Sequence, residues 1–123
     1  MPKDEEPIPI ERTKLYRLIA NGSKTALKLA WSHALTLDPH CLQRRSNVDQ
    51  STYLHHIVNC APDVYQKYGH LKHVVPLIYR VALKGLLVNA QNNHGSTALH
   101  LALIKPNAVE LCPHLIRIGR QGA

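Results

Sequence analysis

The sequence predicts an all-α protein, and three observations carry that prediction. Hydrophobic residues make up 45% of the 123 positions, enough for the modest core of one domain. The apolar residues are mostly Leu, Ile, Val and Ala, with no Phe and a single tryptophan, Trp31. Layered helices pack well with such side chains, whereas short-stranded sandwiches carry more aromatic and β-branched content. Finally, the pattern Ser-Thr-x-Leu-His occurs twice, each time opening a run of small or aliphatic residues.

The two copies stand 45 residues apart, at Ser51–His55 and Ser96–His100. Upstream of the second, Gly85-Leu-Leu-Val-Asn-Ala-Gln is spaced as a helix terminator followed by an extended turn. Thr97-Ala98-Leu99-His100-Leu101-Ala102 resembles the T-x-L-H-x-A signature of the ankyrin repeat, with Ala98 in place of the usual proline. Val88-Asn89-Ala90 and Gly95 match the preceding finger turn, and Asn92 takes the customary aspartate position. The first copy departs further: Gln50 stands for the turn glycine, Tyr53 for the proline, and Ile57-Val58 for the paired alanines. The resemblance covers residues 11–119, most strongly 81–103.

It implies a short solenoid of about two and a half to three helix-turn-helix repeats with short fingers. An acidic, Pro-containing tail, 1–10, precedes the repeat domain, 11–123. In the first unit, 11–45, Leu15–Gly22 fits an inner helix. Leu27, Leu29, Trp31, Ala34, Leu35 and Leu37 then line an outer helix that ends before Asp38-Pro39. Thr25–Ala30 imitates the signature, but too little chain separates it from Thr52 for a second helix and a finger. The second unit, 46–91, exceeds the family period of about 33 by about 12 residues. The excess is assigned to 61–72, read as an ordered, irregular loop between two helices that buries Val64, Tyr65 and Tyr68. The third unit, 92–123, closes on a helix carrying Val109, Leu111, Leu115, Ile116 and Ile118. Leu111, Leu115 and Ile118 form one stripe. With no further repeat to cover it, the stripe is expected to be exposed and to favour self-association through the C-terminal repeat.

Thr52 and Thr97 are placed to cap inner helices by accepting a first-turn N–H. Leu54 and Leu99 point into the stack between repeats. Gly95 suits the positive φ of a finger turn, and Gly85 the left-handed end of an outer helix. The resemblance implies that His55 and His100 hydrogen-bond to backbone or to the Thr of the same turn, locking neighbouring fingers. It also implies a non-enzymatic protein–protein interaction module or adaptor. Its contacts fall on Arg44, Arg45, Asn47 and Asp49 of one finger and Gln91, Asn92, Asn93 and His94 of the next. On the inner helices they fall on His56, Asn59, Leu101, Ile104 and Lys105, with Ser51 and Ser96 at the helix starts.

Charge narrows the partner. Four of the eight acidic residues, Asp4, Glu5, Glu6 and Glu11, lie in the first eleven positions. From Arg12 onward fourteen Lys or Arg face four acidic residues, a net of +10. Such a body attracts an acidic protein surface, or simply stays soluble. The alternative is a basic nucleic-acid-associated or transcription-cofactor protein. Against it, the cations are scattered, Arg44-Arg45 is the only adjacent pair, and aromatic residues for base stacking are few. No apolar run approaches the length of a membrane span, and no signal peptide is evident. Cys41, Cys60 and Cys112, odd in number and widely spaced, fit a reducing compartment, cytoplasmic or nuclear. Nine histidines include the pairs His55-His56 and His70-x-x-His73, but no Cys or carboxylate stands at ligand spacing, so neither metal nor cofactor is expected. Cys60 with a nearby His lacks an oriented third group and an oxyanion motif, so no enzyme is expected.

Overall fold

The computed structural model describes residues 8–83 and 88–121. Among these, every regular element is helical and no strand occurs. The chain enters through a 3₁₀ turn, Ile10–Arg12, that buries Ile10. Helix α1, Lys14–Asn21, begins on Thr13, whose hydroxyl accepts from the Tyr16 N–H at 3.2 Å. It stops on Gly22 at φ +69°, a left-handed conformation that glycine adopts without strain. Two residues later α2, Lys24–Thr36, starts with Ser23 accepting from the Ala26 N–H at 3.1 Å. So short a link folds the two helices against each other. The face of α2 turned inward is Ala26, Leu27, Ala30 and Ala34. Leu29, Trp31 and Leu35, expected to line this helix's packed side, are exposed instead.

A four-residue helix, α3, Pro39–Leu42, has its proline where a missing N–H is harmless. Helix α4, Tyr53–Tyr68, is the centre of the fold. It corrects the expectation of an irregular loop at 61–72, because the chain remains helical to Tyr68 and ends on Gly69 at φ +75°. Pro62 lies inside the helix, leaving the Val58 carbonyl without its helical donor. Ile57, Ala61 and Val64 share one buried face on either side of it, and that burial outweighs the proline. Tyr65 and Tyr68 are half-buried against the same core.

Helices α5, Val75–Leu83, α6, Ala98–Ile104, and α7, Cys112–Gln121, follow, the last behind a 3₁₀ turn, Val109–Leu111. Gly85, expected to end α5, lies outside the described residues. Packing sorts the six longer helices into two layers. In one, α4 lies between α1 and α6; in the other, α5 lies between α2 and α7; and each inner helix backs onto the next outer one. Leu54, Ile57, Leu77, Ile78 and Leu111 are fully enclosed between the layers.

The C-terminal stripe is also corrected. Leu111, Leu115 and Ile118 are buried, and α7 sits on both α5 and α6. The stripe is amphipathic as read, but the face it marks is already covered by this chain. Self-association through those residues therefore loses its surface. The apolar side chains exposed near this end are Val109 and Ile116. Among the described residues, no helix is long and apolar enough to cross a membrane.

Candidate functional site

Two tight turns lead into the inner helices α4 and α6. The first closes where the Ser46 N–H donates to Ser51 O at 2.8 Å, the second where the Asn92 N–H donates to Ser96 O at 3.0 Å. Counted back from the repeated Ser-Thr, the first turn is one residue longer. Gly95 takes φ +77° as expected, and Gln50, its counterpart, takes φ +62° although it carries a side chain. The Gln50 Nε2 offsets part of that strain by donating to Ser46 O at 3.0 Å. In the second turn the side chain of Asn92 accepts from the His94 and Ser96 N–H groups at 2.9 and 3.0 Å, as an aspartate would.

The turns are fastened to each other. The Asn93 N–H donates to Asp49 O at 2.8 Å. One guanidinium nitrogen of Arg45, Nη1, donates to Gln50 O at 2.9 Å and to Gln91 O at 2.8 Å. Behind the turns, each helix starts with a reciprocal cap. Thr52 accepts from the His55 N–H, while the His55 Nδ1 accepts from the Thr52 N–H at 3.0 Å. Thr97 and His100 repeat the arrangement, again with 3.0 Å to Nδ1. Histidine thus fills the place that Glu or Gln takes in the usual capping box. Because Nδ1 of His55 accepts, its proton lies on Nε2, which donates to Ser96 O of the next turn at 2.7 Å. Burial, with Arg45 nearby, holds His55 below its ordinary value against the opposing pull of the Ser96 bond and Asp49, in keeping with a neutral ring.

Of the expected contact residues, Asn47, Asn59, Gln91, Asn93, His94 and Ile104 are exposed. Arg44, Arg45, Asp49, Asn92, Leu101 and Lys105 are half-buried, and Arg45 and Asn92 spend polar atoms holding the turns. His56 is a correction, since only 8% of it is exposed. Its ring stacks on Tyr16 with centroids 3.7 Å apart, and its Nε2 donates to Tyr16 O at 3.2 Å. Ser51 is buried as well. Leu99, expected inside the stack, is half-buried, and Ala98 beside it is the enclosed residue. Two exposed apolar side chains went unforeseen, Val48 at the first turn and Leu103 on α6. Tyr53, which stands where the resemblance calls for proline, is buried and bonds the Thr13 hydroxyl at 2.8 Å, tying α4 to the start of α1.

The two histidine pairs are separated by the length of α4. His55 and His56 lie in its first turn, and His70 and His73 lie beyond its end, about 20 Å of helix away. Cys60 approaches His56 at 3.8 Å. Burial and the charge of Asp63 push the Cys60 thiol up to about 11, and burial pushes His56 down. A protonated thiol beside a neutral imidazole is not an activated nucleophile.

Compared with known proteins, the chain matches no protein-family model, no curated protein and no solved structure.

Proposed function

We propose that this chain is a short ankyrin-repeat module, non-enzymatic, that binds another protein through its finger turns and the adjoining ends of its inner helices. The observation that carries the reading is the repeated Thr-x-x-His cap, with the first histidine reaching across to the next finger at Ser96 O. This is the interlock that the family resemblance implies, and it makes a row of turns rigid enough to present side chains in fixed register. Rigid presentation lowers the ordering cost of binding.

The partner we propose is an acidic protein surface. Arg12, Arg44, Asn47 and Gln50 line a groove beside the first finger, and Asn93 and His94 extend the exposed row onto the second. Val48 adds exposed apolar contact area at the first finger. The free cysteines Cys41, Cys60 and Cys112 suit a reducing, intracellular setting.

The test is capture of partners from cell lysate by the immobilised protein, compared with an Arg44→Glu, His94→Glu variant. The expected result is a protein retained by the wild type, lost in the variant and released by high salt. Retention that ignores the variant would remove the fingers from the reading. Recovery abolished by nuclease would instead favour the nucleic-acid-associated alternative that the +10 body supports.

A further inference from the structure

A cluster of positive charge lies at the end of the molecule away from the fingers. Helix α4 starts beside the first finger and runs 16 residues to Tyr68, so its far end is about 24 Å off. There the Lys24 N–H, at the start of α2, donates to the Tyr68 hydroxyl at 2.8 Å. The Lys67 ammonium donates to Asn21 O at 3.1 Å, closing the same corner. Three rings are gathered beyond it: His73 lies 5.7 Å from Tyr68 and 5.3 Å from His70, centroid to centroid. The Nδ1 of His70 accepts from the Lys72 N–H at 3.2 Å, which leaves its proton on Nε2.

The charges around His73 come from α2 and from the turn after α4. Lys24 and Lys28, one turn apart on α2, and His70 and Lys72 of the turn after α4 all act on it. Among the described residues, no carboxylate is among the charges acting on His73. Partial desolvation, then His70 and the three lysines, hold His73 below its ordinary value. The side chains of Lys24, Lys28 and Lys72 are exposed.

We propose that Lys24, Lys28, Lys72, His70 and His73 form a second docking surface, separate from the fingers, for a short acidic segment of a partner protein. Charge complementarity is the reason to expect an occupant: like charges held together repel one another, and a run of carboxylates relieves that repulsion. An acidic polypeptide fits better than nucleic acid. The patch is about as wide as one turn of α2, whereas duplex binding draws on a track of roughly six to ten phosphate contacts. Tyr68, the aromatic at the centre, is half-buried with its ring already against those of His70 and His73, which disfavours base stacking on it. Bound carboxylates favour the charged form of His73, so the site takes up a proton on binding and tightens as pH falls.

The experiment titrates the full chain with a labelled peptide of about ten Glu and Asp residues and, separately, with a single-stranded oligonucleotide of matched charge, near pH 7.5 and near pH 6. The peptide should bind more tightly near pH 6. A Lys24→Gln, Lys28→Gln, Lys72→Gln variant should weaken binding about tenfold, each lost surface charge contributing modestly. A His70→Asn, His73→Asn variant should abolish the gain at low pH, and the control Arg117→Gln, an exposed cation on α7, should bind as wild type. The three lysines are exposed, so matching circular dichroism melts of the variants are expected. Peptide binding unchanged in the lysine variant, or weakened as much in the Arg117 variant, would overturn the proposal, as would tighter binding of the oligonucleotide. Failure of the lysine variant to matter leaves the finger reading standing, because its own variant is scored independently.

Discussion

The caps at Thr52–His55 and Thr97–His100 are spelled alike and built alike, yet they sit in different surroundings. In both, the Thr N–H lies 3.0 Å from Nδ1 and the hydroxyl accepts from the histidine N–H. His55 is buried and spends its second nitrogen on Ser96 O of the neighbouring turn, whereas His100 is exposed. Leu54 and Leu99 follow the same division, the first fully enclosed and the second half-buried. A local signature therefore dictates how a helix starts, and the neighbour on its open side decides how much energy that start secures. Helix α4 has inner-layer neighbours on both sides, α1 and α6, whereas α6 has one, α4, among the described residues.

The comparison can be broken or sharpened by paired substitutions. Leu54→Ala is expected to cost about 2–5 kcal/mol, and Leu99→Ala less than half of that, read from chemical denaturation. Equal losses would place the two leucines in equivalent packing. His55→Ala is expected to cost about 2 kcal/mol, because it strips the helix start and removes one of the two donors to Ser96 O, leaving only the Asn92 N–H. His100→Ala removes a cap alone and should cost about 1 kcal/mol or less.

Acid provides a third arm. Burial is the main reason that His55 and His56 both lie below the ordinary 6.5. Each is neutral in the folded chain at a pH where the unfolded chain has taken up the proton. Their contribution is therefore complete above about pH 6.5 and is lost as pH falls below it. Melting temperatures should drop between pH 7 and pH 5, and the drop should shrink in His55→Ala. The smallest effects come from the turns. Gly95→Ala should destabilise by about 1 kcal/mol for strain at φ +77°, with open space around the added methyl. Gln50→Gly should stabilise by a few tenths of a kcal/mol, limited by loss of the side-chain bond to Ser46 O.

What could be read in the residues was the local grammar. Thr52, Thr97 and Gly95 announced their conformations, and Leu15–Gly22 announced α1, because caps and left-handed turns depend on few atoms close in sequence. The loop expected at 61–72 misled, since a repeat period counts surplus residues without placing them, and Pro62 does not break α4. Only the burial of Ile57, Ala61 and Val64 against distant helices keeps α4 intact. The stripe Leu111, Leu115 and Ile118 was visible, but a stripe does not name the surface that covers it, and α5 and α6 do so here. His56 was assigned to the surface for a related reason: its cover is the ring of Tyr16, 40 positions away. Of the finger residues, the exposed polar ones were foreseen. The service of Arg45 and Asn92 to the turns depends on carbonyl and amide positions that no pattern of residue types reveals.

The central claim is that His55 locks one unit to the next through a neutral ring with its proton on Nε2. Nitrogen-15 NMR of the imidazoles measures this directly. The expected result is one His55 tautomer with a bare Nδ1, an Nε2–H that exchanges slowly with solvent, and retention of the neutral ring below about pH 6.5. The Nε2–H of His100 should exchange fast in the same sample. A His55 with the proton on Nδ1, or with exchange as rapid as His100, would contradict the interlock and the account of the stack built on it.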